Sequence, residues 1–349
     1  MREVLIEDFK QLTERNIPWN ELRDKTFLIT GATGLVGSLL VRCLLYANET
    51  INLNAKVYAV VRNTDKADRI FEDEKTDALS YIVADLATEK VCCEGECDYI
   101  IHAAAVTASK LMVSDPVGTI RTSIDGTEKM LQLAVEKKVR AFIYISSMEI
   151  YGQPKTEGRT AEKDLGYVDI ETVRSCYPEG KRMCECMCTA YAAQYGVNVI
   201  SARLAQTFGA GILPTENRVF AQFARSAMKG SDIVLHTEGK SEGNYCYTAD
   251  AVRALLTILV KGENMQAYNV VNEKSHITIA DMAKFVAEKI AEKPIEVVFD
   301  IPKENKFGYA NDTKMHLAAT RLMALGWQPE TDLEESYRRL IASMKNRNV

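Results

Sequence analysis

The 349 residues carry 47% hydrophobic and 26% charged side chains and a formal net charge of −5. That balance supports a large packed core; it gives no basic field for nucleic acid or anionic lipid, and no apolar run approaches the ~20 residues of a membrane span. The acidic, broken opening segment is no secretion signal, so the chain is expected in the cytoplasm, its nine cysteines as free thiols. Residues 1–24 read as a helical leader whose Val4, Leu5, Phe9 and Leu12 can dock on neighbouring helices. "TFLIT" at 26–30 predicts a strand, and from Val36 the apolar positions Leu39, Leu40, Cys43 and Leu44 take helical spacing. The runs at 56–61, 81–84, 98–105 and 141–147 are short and continuous, as in strands buried on both faces. Between the last two, Ile120, Ile124, Met130, Leu131, Ala134 and Val135 line one face of a helix over 117–138. A helix over 176–195, the strand "VNVISARLA", a helix over 249–261 and the strand "AYNVV" follow.

This alternation predicts an α/β fold, a doubly wound parallel sheet of Rossmann type. Residues 25–206 and 247–272 are expected to form the dinucleotide-binding part. Residues 207–246 and 273–349, which mix Gly/Pro breaks with isolated strands such as "IEVVF", are expected to form a smaller C-terminal substrate-binding lobe. Of Cys184, Cys186 and Cys188 only the first and last share a helix face, and no further Cys or His pair completes a tetrahedral set, so packing rather than metal is expected. His102, His236, His276 and His316 lie far apart in sequence with no ligand spacing.

"TGATGLVG" sets Gly31, Thr33, Gly34, Leu35, Val36 and Gly37 between the first strand and the first long helix of this pattern. A tight turn there aims amides at a pyrophosphate. The spacing resembles the short-chain dehydrogenases, and the resemblance extends over nearly the whole chain. It implies that Asp85, with Leu86, contacts adenine, and that Ala103, Ala104 and Ala105 let the nicotinamide ribose lie close. At the end of the second strand, where NAD-preferring members present an Asp to the ribose, Arg62 stands instead. A guanidinium cannot accept that hydrogen bond but can pair with a 2′-phosphate or stack on adenine; otherwise Arg62 is a solvated surface residue. The cofactor is therefore expected to be NAD(P), with NADP bound at least as well as NAD.

"SCYPEGKR" puts Tyr177 and Lys181 four residues apart on one helix face, with Pro178 tolerated in the first turn. A phenol is a poor base near neutrality unless positive charge favours the phenolate, which Lys181 and an oxidised nicotinamide can supply. Ser147 closes the fifth strand, at the end of the sheet where open α/β folds bind ligands. Ser147, Tyr177 and Lys181 together resemble the catalytic set of the extended short-chain dehydrogenase/reductases. "SSMEIYG" and "YPEGKR" resemble their nucleotide-sugar epimerase, dehydratase and decarboxylase branch. Membership implies oxidation of a sugar hydroxyl, usually at C4, and return of the hydride. It makes Glu149 a candidate acid or base, unless it only satisfies backbone donors beside the strand end. It also implies homodimers paired through the helices near 117–138 and 176–195.

The substrate side is assigned to Thr107, Ser109, Gln206, Arg218 and Tyr245. Some positions depart from the branch pattern. Met148 replaces an Asp of the dehydratases and cannot protonate a departing hydroxyl, and "GNYCY" at 243–247 lacks the arginine that binds the substrate's diphosphate. Either Arg218 or Arg253 compensates, Arg218 having also an innocent reading as a helix-start surface residue, or the substrate is not an ordinary diphosphate sugar. Gln206, Ala210 and Ser123 replace Asn, Pro and Asn and mark a divergent subfamily. The leading expectation is a nucleotide-sugar epimerase, decarboxylase or 4-keto reductase. The alternatives are an NADPH-dependent carbonyl reductase on a non-sugar substrate, or a dinucleotide-binding protein without turnover.

Overall fold

The computed structural model describes residues 2–156, 158–302 and 312–345. The apolar runs become parallel strands: β1 (Thr26–Thr30), β2 (Lys56–Val61), β3 (Leu79–Val83), β4 (Tyr99–His102), β5 (Ala141–Ser147), β6 (Val199–Leu204) and β7 (Ala267–Val270). They lie in the order β7-β6-β5-β4-β1-β2-β3. Thr30 sits opposite Val60 on one side and His102 on the other, so the chain reverses direction across the sheet at the β1/β4 boundary, the switch point where such folds bind ligands.

The long helices are α1 (Arg2–Glu14), α2 (Leu35–Ile51), α3 (Pro116–Lys137), α4 (Cys176–Tyr195), α5 (Val219–Lys229), α6 (Thr248–Lys261) and α7 (Leu333–Lys345). Alternate residues of each strand feed opposite layers. Phe27 and Ile29 pack with α2 and α6, while Leu28 packs with Met130 and Leu131 of α3 and Cys184 and Cys188 of α4. Local chemistry fixes the helix ends. Asp115 accepts from the Gly118 amide at 3.0 Å beside Pro116 at the start of α3, and α4 stops at Gly196 with φ +72°. The leader residues Val4, Leu5, Phe9 and Leu12 are buried, and α1 packs against α2, α6 and α7. There Asp8 is held by Arg339 at 2.7 Å and by the Tyr247 hydroxyl at 2.8 Å.

Several expectations change. The run at 81–84 is not buried on both faces, because β3 is the sheet edge and Val83 is 60% exposed. Ile120 is also exposed rather than on the buried face of α3. "IEVVF" is not isolated, since Val297–Phe299 pairs in parallel with Ile233–Leu235. Gln206 starts the short strand Gln206–Phe208, which pairs with Tyr245–Tyr247 and leads into the remaining segments. His276 and His316, far apart in sequence, stack with ring centroids 4.0 Å apart. Among the described residues no helix is long and apolar enough to cross a membrane.

Candidate active site

The glycine turn is built by close approach. Gly31 has φ +63°, and a Cβ there would lie 2.8 Å from the Ala103 carbonyl and the Ala104 nitrogen; a Cβ on Gly37 would lie 2.3 Å from the Gly31 oxygen. Only glycine lets the β1 and β4 loops touch and α2 begin against them. Gly34 donates to the Gly31 carbonyl at 2.8 Å and caps α2, so Leu35, Val36 and Gly37 supply the open first turn of a 17-residue helix, with Thr33 half-buried beside it.

A buried chain of hydrogen bonds, which the sequence reading missed, holds the alanine run against this turn. The Ala104 amide donates to Thr30 Oγ1 at 3.1 Å, and that hydroxyl meets His102 Nδ1 at 2.8 Å. His102 Nε2 meets Thr127 Oγ1 at 3.2 Å, Thr127 donates to Cys184 Sγ at 3.3 Å, and the Cys184 thiol donates to the Ser123 carbonyl at 3.1 Å. Each hydroxyl has one proton, so the chain runs one way, and His102 is neutral with its proton on Nε2. Burial, and secondarily Lys181, depresses its pKa to about 3. The folded state therefore binds fewer protons here than the unfolded chain, and this contribution to stability is complete above the unfolded pKa of about 6.5 and is lost as pH falls toward 3. Thermal midpoints should fall as pH drops below that value, and His102→Gln should flatten the slope. An unchanged slope in the variant would assign the titration to another group.

Ser147 ends β5 and begins a 3-10 turn over Met148–Tyr151, its Oγ accepting from the Glu149 amide at 3.2 Å. Tyr177 occupies the first turn of α4 and Lys181 the next. The buried Lys181 ammonium donates to the Ile145 carbonyl at 2.7 Å and lies 4.7 Å from the Tyr144 ring centroid and 5.9 Å from that of Tyr177. Burial brings Lys181 down to about 8. Burial first, then the Glu149 charge, pushes Tyr177 up to about 12, while a hydrogen bond with Ser147 and the charges of Arg174 and Arg218 pull the other way. The three residues predicted separately thus meet at the C-terminal edge of β5.

Among the described residues Glu149 is engaged by an arginine rather than by backbone donors. Its two oxygens take Arg174 Nη2 at 2.9 and 3.0 Å, and the Arg174 guanidinium lies 5.6 Å from the Tyr177 ring centroid. Arg174 was not singled out from the sequence, although its place three residues before Tyr177 was a signal. Ala103, Ala104 and Ala105 are half-buried, whereas Thr107 and Ser109 are exposed just beyond them. Arg62 is exposed past the end of β2; Asp85 is half-buried, its carboxylate accepting from the Ala87 amide at 2.9 Å, and Leu86 is buried. Gln206 is half-buried. Arg218 precedes α5 and is engaged by both oxygens of Glu216, at 3.0 and 2.7 Å. Tyr245 is packed in an apolar cluster with Phe208 and Tyr337. Arg253 cannot replace the missing diphosphate arginine, because it is buried, paired with Asp250 at 3.0 Å and bonded to the Gln328 carbonyl. Cys184 and Cys188 are packed in the α3/α4 core.

The open helix turn, the side-chain-free approach of Gly31 to Ala103, and Lys181 beyond it fit a nicotinamide dinucleotide, which would supply hydride acceptance and return. Around it, Ser147 can orient a hydroxyl and Tyr177 can take its proton.

The sequence profile of the NAD dependent epimerase/dehydratase family matches residues 27–272. UDP-glucuronic acid decarboxylase 6 of Arabidopsis thaliana is 30% identical over 320 residues, 88% of this chain and 85% of that protein. UDP-glucuronic acid decarboxylase 1 of Danio rerio is 27% identical over 98% of this chain and 78% of its own. Among solved structures, UDP-glucose 4-epimerase of Thermotoga maritima with UDP-glucose aligns with TM-score 0.77 at 22% identity, covering 93% of this chain and all (100%) of that one. The dTDP-glucose 4,6-dehydratase of Streptomyces venezuelae with NAD bound aligns with TM-score 0.74 at 20% identity, covering 93% and 98%.

Proposed function

The chain belongs to the NAD dependent epimerase/dehydratase family, and from that premise we propose that it acts on a nucleotide-linked sugar by transient oxidation of a ring hydroxyl, at C4, through Ser147, Tyr177 and Lys181. The observation that carries this reading is the meeting of those three side chains at the end of β5, separated from the glycine turn after β1 by β4 alone. Ser147 orients the hydroxyl, Tyr177 removes its proton and Lys181 favours the phenolate. The ketone so formed acidifies the neighbouring C–H or permits loss of a carboxylate. The Arabidopsis and Danio relatives support a UDP-sugar. Met148 in place of an acid disfavours elimination of a hydroxyl.

We infer that Arg62 sits beside the adenosine ribose and binds NADP at least as tightly as NAD, and that Gln206 and Arg218 face the substrate. A homodimer through α3 and α4 is supported by the exposed apolar residues Val117, Ile120, Met183 and Tyr195 on those two helices, which pack side by side. The test is to denature the purified protein, identify any dinucleotide released by mass spectrometry, and titrate the emptied protein with NADH and NADPH. Retained oxidised cofactor is expected, with Arg62→Ala weakening NADPH and sparing NADH. An empty protein that consumes NADPH stoichiometrically would instead favour a carbonyl reductase, and a clear preference for NADH would remove the assignment to Arg62.

A further inference from the structure

The Lys181 ammonium has to carry its charge inside an apolar layer. Lys181 is buried, and so is Tyr144, which packs on the face of β5 that meets Cys184 and Cys188 of α4. Among the described residues the ammonium donates to the Ile145 carbonyl at 2.7 Å and makes no ion pair. The titratable groups that face it are Tyr177, Cys184, Glu185 and Cys188 of its own helix, Tyr144 of β5 and His102 of β4. Burial keeps Tyr144, Tyr177 and Cys188 protonated and His102 neutral in the resting site. The Cys184 thiol donates to the Ser123 carbonyl, and Glu185 is taken by Arg203 at 2.7 Å. None of these groups offers a free negative charge. What the ammonium does have is the face of the Tyr144 ring, whose centroid is 4.7 Å from Nζ, against 5.9 Å for Tyr177. An aromatic face is the negative side of the ring quadrupole and attracts a cation within about 6 Å, most strongly where both are desolvated. The ring therefore works against the burial that brings Lys181 down to about 8.

We propose that Tyr144 is a positioning residue for the proton transfer, the face of its ring keeping the Lys181 ammonium charged and fixed beside Tyr177. This rests on the catalytic reading of Lys181 above and extends it to a side chain in the hydrophobic layer. The ring rather than the hydroxyl does the work, so phenylalanine serves at 144 and an electron-poor ring of the same shape does not. The sign separates this from a packing role. A gap left by a smaller side chain admits water, which favours the charged lysine, whereas loss of the ring face disfavours it.

The test replaces Tyr144 with phenylalanine and then with phenylalanines that carry one or five ring fluorines, which drain electron density from the face and barely change the shape. In the cofactor-loaded protein the titration of Lys181 is followed by carbon-13 NMR of the lysine carbon beside the ammonium, assigned with Lys181→Met. Tyr144→Phe should titrate within a few tenths of a pH unit of the unaltered protein. The fully fluorinated ring should lower the midpoint by about one pH unit, and the singly fluorinated ring by less. The alkaline limb of turnover on UDP-glucuronate should move the same way; a merely structural residue would lower turnover at every pH and leave the limb in place. Melting temperatures should agree across the series, because the rings differ only at their edges. A midpoint that stays put or rises with fluorination would overturn the proposal while leaving Lys181 in its catalytic role. Turnover retained by Lys181→Met would overturn both.

Discussion

Tyr177→Phe protein is expected to fold, to keep its dinucleotide and to turn over about a thousandfold more slowly than the unaltered chain, within the range for loss of a positioned acid–base group. The substitution removes one oxygen from a side chain that is 7% exposed and leaves the ring beside Lys181 and Arg174 intact, so packing barely changes. What is lost is the only phenol that shares Ser147 and Lys181 among the described residues. Burial pushes that phenol up to about 12, far from a useful base, so its work depends on the positive charge gathered around it. Arg174 and Arg218 supply such charge, and we propose that Lys181, 5.9 Å from the ring centroid, adds to it. Comparison of kcat with dinucleotide content and melting temperature checks this; activity retained within a few-fold would move the proton-transfer role to another residue.

The largest stability effect is expected at Arg203. This buried guanidinium pairs with Glu185 of α4 at 2.7 Å and donates to the Tyr151 hydroxyl at 3.0 Å and to the Glu162 carbonyl at 2.5 Å. Tyr151 in turn donates to Asn269 Oδ1 at 2.6 Å, and the Asn269 amide donates to Glu162 at 3.0 Å. One side chain thereby joins the catalytic helix, β6, β7 and the segment that follows Ser147. Arg203→Met leaves Glu185 and the Tyr151 hydroxyl without their cation and should cost about 3–5 kcal/mol in denaturant unfolding. Arg203→Met combined with Glu185→Met removes both charges and should recover much of the loss. If the double variant is as unstable as the single one, the stability came from shape rather than from charge pairing.

How much of this was legible in the sequence follows from the physics of each signal. The seven parallel strands announced themselves because burial on both faces forces continuous apolar runs; β3, one of the two edge strands, departed most from that rule. Gly31 and Gly37 were legible as a turn, but the reason for them, backbone contact with Ala103 and with Gly31 itself, is a distance that no spacing contains. Tyr177 and Lys181 share a helix, so their proximity is written in the chain; Ser147 joined them through its place at a strand end. Pairings between distant segments were not legible. The Thr30–His102–Thr127–Cys184 chain draws on four separate elements, and the reading of Arg253 as a diphosphate anchor failed because Asp250 and Gln328 already hold it. Arg174 escaped notice because an arginine near a helix start is ordinarily a surface residue.

The central claim is that Ser147, Tyr177 and Lys181 oxidise a sugar hydroxyl transiently with a cofactor that the protein keeps. Stopped-flow absorbance of the reduced nicotinamide, recorded after mixing the cofactor-loaded protein with UDP-glucuronate and no added dinucleotide, tests it most directly. The account predicts a signal that rises and then returns to baseline within one turnover, and that is absent in Tyr177→Phe. A signal that never appears while the sugar is converted, or that persists equally in Tyr177→Phe, would contradict it.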